Sequence, residues 1–151
     1  MKIIVDSNIV FSGILNKESR IGELLIKSKD YFDFYSVDQL KFELQKHKEK
    51  IIKTTGFSEV EYEEVRELAI SKIKFIRDEL IPKSYLIEAE KILQEIDIDD
   101  TVFVALADHL QANLWTGDLE LINGLQKQGY KNTITTKELY QIYLKKEFNK
   151  L

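Results

Sequence analysis

The apolar positions of the chain follow two spacings, one typical of buried strands and one typical of amphipathic helices. Short β-branched or aromatic runs predict four strands, at residues 2–6, at 33–37 ("DFYSV"), within "NLWTGD" and within "NTIT". Elsewhere apolar residues recur every three or four positions. They predict helices at Ser19–Lys29, from Ser36 to about Lys53, from Ser58 through Ile76, from Ser84, from about Asp99 or Asp100, in "LELINGLQKQG" up to Gly129, and from Thr135 towards Phe148. This alternation predicts a parallel sheet covered by helices on both faces.

Three of the predicted helices begin with the pattern of a capping box, in which Ser or Thr precedes Glu or Gln by three residues. The pairs are Ser36 with Gln39, Ser58 with Glu61, and Thr135 with Glu138. Pro82 predicts a break between helices. We expect the long helical segment between the second and third strands to belong to the same domain, so that residues 1–151 form a single domain.

Composition excludes several kinds of site and partner. The chain has no Cys, which excludes disulfides and thiolate metal sites and favours a reducing cytoplasm. No apolar run approaches the ~20 residues that span a bilayer, so no membrane partner is expected. The formal net charge is −4, and nucleic-acid binding would therefore require a local basic patch that differs from the average surface.

Two predicted strands end in an acidic residue. Asp6 follows the first strand and Asp118 follows "LWTG". Ligands of open parallel sheets bind beyond the carboxyl ends of the strands, and two charges ~4 Å apart repel by ~4 kcal/mol at an effective dielectric of 20. A cation at this edge would offset the repulsion. The alternatives are a local turn bond for Asp6 and a helix cap for Asp118.

Further acids join this set on the predicted helices. Glu43 lies at the border of the apolar face formed by Leu40, Leu44 and Ile51, where a purely solvated Glu is unusual. The segment "DIDD" supplies Asp97, Asp99 and Asp100 at one helix start, where a single cap would be sufficient.

A histidine-based metal site is not indicated. The chain has two His residues, His47 and His109, on separate predicted helices and without H-E-x-x-H spacing. His47 follows Glu43 by four residues, so it either pairs with that carboxylate or is structural. An all-carboxylate set of oxygen ligands instead suits Mg²⁺ or Mn²⁺.

The segments "IIVDSNIVFSGIL", "LKFELQKHKEKI", "DIDDTVFVALADHLQANLWTGD" and "TITTKEL" occur in this order and at about this spacing in PIN-domain proteins. The chain resembles the nuclease toxins of VapBC-type toxin–antitoxin pairs over nearly its whole length. The resemblance implies a Rossmann-like three-layer α/β fold, with a central parallel sheet of about four or five short strands. It also implies a Mg²⁺- or Mn²⁺-dependent endoribonuclease with RNA as its substrate, an antitoxin protein as a possible partner, and a homodimer.

The resemblance also assigns the site residues. It implies that the catalytic and metal-binding carboxylates are Asp6, Glu43, Asp100 and Asp118, and that Asn8 and Thr116 are supporting polar residues. Asp100 matches the pattern because Phe103 is the third residue after it, which leaves Asp97 and Asp99 as extra acids. The chain departs from the pattern at Leu121, where many relatives carry a further Asp. Whether Glu120 takes that place, and whether one metal or two are bound, is left open.

Phosphodiester hydrolysis needs an activated water and neutralised phosphate charge, and divalent metals held by carboxylates supply both. In that chemistry Glu43 would bind metal or hold the attacking water. Lys46, Lys50 and Lys53 follow one another at i, i+4 and i+7, which predicts a basic strip that tracks RNA phosphates. The alternative is an ordinary solvated helix face.

Two other functions fit the sequence less well. A phosphatase of the haloacid dehalogenase type would need acids where the chain has Asn8 and Ile122. The other is a PIN fold without catalysis that serves only in binding or assembly, and the four intact acids disfavour it.

Overall fold

The computed structural model describes residues 1–151, and its centre is one five-stranded parallel sheet. The strands are β1 (Lys2–Val5), β2 (Asp33–Val37), β3 (Ile73–Ile76), β4 (Asn113–Trp115) and β5 (Thr133–Ile134). Their order in the sheet is β3-β2-β1-β4-β5. Because β1 pairs with β4 and Val5 lies opposite Trp115, the residues that follow these two strands emerge side by side at one edge.

Nine helices cover the sheet. They are α1 (Ser7–Leu15), α2 (Arg20–Lys27), α3 (Asp38–Lys46), α4 (Lys48–Thr55), α5 (Glu59–Ile70), α6 (Lys83–Leu93), α7 (Thr101–Leu110), α8 (Leu119–Lys127) and α9 (Thr136–Asn149). Short 3-10 turns precede α6 at Asp78–Leu80 and α7 at Ile98–Asp100. The sheet with helices on both faces makes the three-layer α/β architecture that the sequence predicted.

The core lies on both faces of the central strands. Three residues of β1 are completely buried, and Trp115 of β4 stacks on Phe34 of β2 with ring centroids 5.8 Å apart. Helix α7 packs across β1, β2 and β4 with the buried run from Phe103 to Ala107, whereas α1 packs against α2 and α5. No helix combines the length and the apolar character needed to cross a bilayer.

Several predicted elements are confirmed. The strands at β1, β2, β4 and β5 lie where the apolar runs placed them, and the capping boxes of Ser58 with Glu61 and Thr135 with Glu138 are both formed. The third predicted capping box is wrong. Ser36 is inside β2, where its hydroxyl donates to the Val5 carbonyl at 2.8 Å, and α3 begins at Asp38.

One helix was not predicted, and two predicted helices have wrong bounds. Residues 7–15, for which no helix was predicted, form α1. The helix predicted from Ser58 through Ile76 ends at Ile70, and the chain then enters the edge strand β3. The helix predicted up to Lys53 is interrupted at His47, which separates α3 from α4.

Candidate functional site

Asp6 lies at the centre of the sheet edge, between β1 and α1. Its Oδ1 accepts a hydrogen bond from the Ser7 N–H at 2.8 Å, and its Oδ2 accepts one from the Thr116 hydroxyl at 2.7 Å. Its own N–H donates to the Trp115 carbonyl at 3.1 Å. With only 4% of the residue exposed, these bonds fix the carboxylate in one position.

Thr116 connects the ends of β1 and β4. Besides donating to Asp6, its Oγ1 accepts from the Asp118 N–H at 3.1 Å and from the Asn8 side-chain amide at 3.4 Å. The Asn8 Oδ1 in turn accepts from the Gly117 N–H at 3.3 Å. Asn8 and Thr116 therefore hold the two strand ends together and orient the acid between them.

Asp118 caps α8, as the structural alternative for this residue predicted. Its Oδ1 accepts from the Leu121 N–H at 3.2 Å. Leu121 itself is buried in the core, and Glu120 is exposed to solvent. Position 121 is part of the apolar core, where a carboxylate would be buried. The chain therefore has no counterpart of the family's further acid at this position.

Glu43 reaches the same edge from α3. Its Oε2 accepts from the Ser7 hydroxyl, and its Oε1 accepts from the Gln39 amide at 2.9 Å. Gln39 also donates to the Asp99 carbonyl at 2.9 Å, which ties α3 to the turn before α7. Ser7 and Gln39 were not among the predicted site residues, although both bind Glu43. The i, i+4 spacing of Gln39 and Glu43 was the available signal.

The three acids of "DIDD" have separate roles. Asp97 begins the 3-10 turn, where its Oδ1 accepts from the Asp99 N–H at 3.0 Å. Asp97 and Asp99 are exposed, whereas Asp100 is partly buried. Asp100 occupies the cap position of α7, but its carboxylate makes no capping hydrogen bond. Of the three, Asp100 is the acid whose charge interacts with Asp6, Glu43 and Asp118, and no capping hydrogen bond holds its carboxylate.

The electrostatics of this edge are unbalanced. Burial raises the pKa of Asp6 to about 6, although the hydrogen bonds from Thr116 and Ser7 oppose the change. Burial also raises the pKa of Asp100 to about 8, and repulsion adds to the effect from four other carboxylates, Asp6, Asp97, Asp118 and Glu43. None of the ion pairs of the molecule involves the four predicted site acids. The edge therefore concentrates negative charge without a protein cation.

The donor set suits a divalent cation in chemistry and in charge. Carboxylate oxygens are the preferred ligands of Mg²⁺ and Mn²⁺, and a cation would relieve the repulsion at Asp100. However, no three His, Asp or Glu side chains converge closely enough in this structure to enclose an ion. The carboxylates of Asp6, Glu43 and Asp118 point instead to protein hydrogen-bond donors. Binding of an ion would thus require shifts of these side chains.

The predicted basic strip does not lie on one continuous helix. Lys46 ends α3, whereas Lys50 and Lys53 belong to α4, and all three are exposed. Lys48 instead bridges to α5, with its Nζ 3.3 Å from a Glu59 carboxylate oxygen and 3.2 Å from one of Glu63.

Comparisons with known proteins identify the fold. The family described as "PIN domain" has a sequence model that matches residues 4–145. VapBC2 from Rickettsia felis, solved bound to a DNA fragment from its promoter, contains a chain with 18% identity and a TM-score of 0.66. The match covers 89% of this chain and 97% of that one. PAE2754 from Pyrobaculum aerophilum has 16% identity and a TM-score of 0.66, with 95% and 96% covered. No curated protein matches significantly.

Proposed function

The chain belongs to the PIN-domain family, and from this premise we propose that it is a metal-dependent endoribonuclease that hydrolyses RNA phosphodiester bonds. PIN domains are generally nucleases and typically use divalent metal ions. The observation that carries the proposal is the anionic sheet edge, where Asp6, Glu43, Asp100 and Asp118 repel one another and no protein cation balances them.

The proposed roles follow from how each side chain is held. Asp6, Asp100 and Asp118 would hold Mg²⁺ or Mn²⁺ directly or through water, with Glu43 as a further ligand. A bound ion supplies an activated water and neutralises charge on the phosphate. Thr116 and Asn8 orient Asp6 and the backbone before Asp118, and such supporting bonds fix ligand geometry.

Glu43 is also suited to hold the attacking water. Ser7 and Gln39 bind one oxygen each of its carboxylate, which restricts rotation of the side chain while each oxygen retains a second acceptor position. A general base must lie within hydrogen-bond reach of the proton that it accepts. The two neutral donors orient Glu43 without neutralising it.

RNA would approach along the exposed lysines of α3 and α4. In this proposal Lys46, Lys50 and Lys53 contact phosphates, and each contact releases counterions and adds to the salt dependence of binding. The interruption at His47 means that the three ammonium groups follow a bent path rather than a straight helix face.

The biological setting is a further part of the proposal. We propose that the protein is the toxin of a toxin–antitoxin pair, because its fold is that of a chain in VapBC2, and that it forms a homodimer. A gene for a small DNA-binding protein next to its own, whose product suppresses the ribonuclease, would support this. A cytoplasmic location, expected from the absence of Cys, stays a prediction.

The proposal is tested by RNA cleavage with purified protein. We expect cleavage with Mg²⁺ or Mn²⁺, none in EDTA, and recovery when Mn²⁺ is added in excess. The double variant Asp6→Asn/Asp118→Asn, purified identically, controls for contaminating ribonucleases and should be inactive. Glu120→Gln, an exposed change near the site, should keep its activity.

The alternative function is a catalytically inactive binding module. It predicts no cleavage by wild type under any metal condition. Cleavage that persists after exhaustive chelation, or that persists in the double variant, would exclude the proposed metal mechanism.

A further inference from the structure

A cavity of about 410 Å³ lies between α1 and α4, beside the carboxylate edge. Its lining residues are Phe11, Leu15, His47, Lys50, Ile51 and Thr54, and we call it the α1–α4 groove. Its volume is in the range of sites that bind small ligands. None of its lining residues has a role in the proposed hydrolysis except Lys50.

The groove and the carboxylate site share helix α1. On α1, Ser7, Phe11 and Leu15 follow one another at i, i+4 and i+8, so they lie along one face of the helix. Ser7 contacts Glu43, and the Phe11 ring meets the His47 ring edge-to-face with centroids 5.5 Å apart. Leu15 and Ile51 then line the far part of the groove. A strand leaving the carboxylate edge along α1 would enter this groove next.

The lining has the chemistry of a nucleobase site. In an edge-to-face pair, the ring that presents its edge uses neither of its faces, and both Phe11 and His47 are only partly buried. Leu15 is 49% exposed, which leaves apolar surface facing solvent. Lys50 makes no ion pair, so its ammonium is free for a phosphate.

Two other cavities of similar size differ from this groove because acidic residues are part of their lining. One of about 370 Å³ next to α2 is lined by Glu18 and Glu23, and one of about 390 Å³ by Glu18, Glu61 and Glu64. Lys17 also lines both of these cavities, and Lys27 lines the first. The first cavity is therefore balanced in charge, and only the second has a net acidic lining that would repel an RNA backbone. The α1–α4 groove has no acidic lining residue and one unpaired cation, so it is complementary to RNA.

We propose that the α1–α4 groove holds an unpaired nucleobase next to the cleaved bond, stacked on the Phe11–His47 pair, with Lys50 on the adjoining phosphate. The proposal rests on the ribonuclease function above and adds a base-binding subsite to it. A base in a duplex is already paired and stacked, whereas an unpaired base can turn out and stack on a side-chain ring.

The test measures binding rather than cleavage. In an Asp100→Asn background and in EDTA, so that the RNA stays intact, fluorescence anisotropy would compare a labelled single-stranded RNA with an abasic strand of the same length. Phe11→Leu keeps apolar volume but removes the ring, and it should weaken binding of the base-containing strand about tenfold, the scale of one lost stacking contact. Its affinity for the abasic strand should not change.

Two further measurements sharpen the assignment. A 2-aminopurine placed beside the cleavage position should be quenched on binding, and Phe11→Leu should relieve that quenching. Lys50→Gln should weaken binding of both strands more than Lys53→Gln, the matched exposed lysine on the same helix that does not line the groove. Thermal melting of each variant establishes that it is folded.

Several outcomes would overturn the proposal. Unchanged affinity of Phe11→Leu for the base-containing strand would exclude base stacking, and equal loss for both strands would indicate an indirect effect on α1. If Phe11→Leu instead converts a dimer to a monomer at unchanged RNA affinity, the groove binds protein. In each of these cases, metal-dependent cleavage by wild type leaves the proposed function intact. Wild type that neither binds nor cleaves RNA would remove both proposals.

Discussion

Asp6 and Asp100 belong to the same carboxylate edge, but the fold holds them in opposite ways. Asp6 is almost fully buried and accepts hydrogen bonds from the Ser7 N–H and the Thr116 hydroxyl. Asp100 is partly buried, and its carboxylate accepts no capping hydrogen bond. Burial raises the pKa of Asp6 to about 6 and that of Asp100 to about 8.

The hydrogen bonds explain why the less buried acid has the higher pKa. At Asp6 they favour the ionised form and oppose the effect of burial. At Asp100 nothing opposes burial, and repulsion from the neighbouring acids adds to it. Two hydrogen bonds therefore partly compensate the cost of burying the charge of Asp6, whereas no protein group compensates the charge of Asp100. A bound cation should affect Asp100 the most.

The largest expected effect is on catalysis. Asp100→Asn should reduce metal-dependent RNA cleavage by at least ~100-fold, the scale seen when one electrostatic contact to a reacting group is lost. Asp97→Asn should leave activity within about twofold, because the new amide oxygen can still accept from the Asp99 N–H. Single-turnover rates with Mn²⁺ would measure both. Equal losses would show that the contrast between these two acids is misplaced.

The second-largest effect is expected when the hydrogen bond that holds Asp6 is removed. Thr116→Val removes the hydroxyl that donates to Asp6 and accepts from the Asp118 N–H. Leaving these buried groups unpaired should cost about 1–3 kcal/mol in the free energy of unfolding. Urea unfolding in EDTA would measure the loss, with Thr116→Ser as the matched control because it keeps the hydroxyl. If Val and Ser cost the same, the network does not stabilise Asp6.

The sequence predicted the positions of these acids better than their surroundings. Asp6 and Asp118 follow apolar runs that became β1 and β4, so the parallel sheet alone brings them to one edge. The bonds that distinguish Asp6 from Asp100 are long-range, such as the one between Thr116 and Asp6, and no local pattern encodes them. Ser36 illustrates the same limit. Its capping pattern is intact in sequence, but its hydroxyl bonds to Val5 of a neighbouring strand.

The missed elements have a local cause. Ile9, Val10 and Phe11 form a β-branched and aromatic run that resembles a strand, yet they belong to α1, which buries Ile9 and Val10. Ile73 and Ile76 continue the three-residue spacing of the preceding helix without a Gly or Pro between, so the pattern predicts a helix where β3 forms. In both places tertiary packing overrides the local pattern.

The third prediction concerns metal. At ~10 mM Mn²⁺ and a Kd of ~1 mM, binding to the native state stabilises it by ~1.4 kcal/mol, or roughly 3–6 °C in the melting temperature. Asp100→Asn should lose most of this shift, because it removes the carboxylate that gains most from a cation. Exposed Asp97→Asn is the control and should retain it. Thermal melting with EDTA and with Mn²⁺ would measure the difference, and equal shifts in all three proteins would contradict the assignment.

The smallest effect is the pH dependence of stability without metal. Both acids have a folded pKa above the ordinary value of 3.8. The folded state therefore binds more protons than the unfolded state between these values, so each acid lowers stability as pH rises. The contribution of Asp6 is complete near pH 6, whereas that of Asp100 continues to about pH 8. Each contribution is flat outside its window.

These windows separate the two acids experimentally. Melting in EDTA from pH 4 to 9 would compare wild type with Asp6→Asn and Asp100→Asn, and the differences cancel the titration of other groups. From pH 6 to 8, the melting temperature of Asp100→Asn should rise by about 2–4 °C relative to that of wild type, because Asp100 of the wild type ionises over this range. The difference is limited to roughly 1 kcal/mol because partial exposure to water screens the charge. The curve of Asp6→Asn should run parallel to wild type over that range and diverge only below pH 6. The opposite result would be a melting temperature that differs from wild type between pH 6 and 8 for Asp6→Asn but not for Asp100→Asn. It would mean that the hydrogen bonds at Asp6 do not favour its ionised form, and that Asp6 rather than Asp100 has the higher pKa.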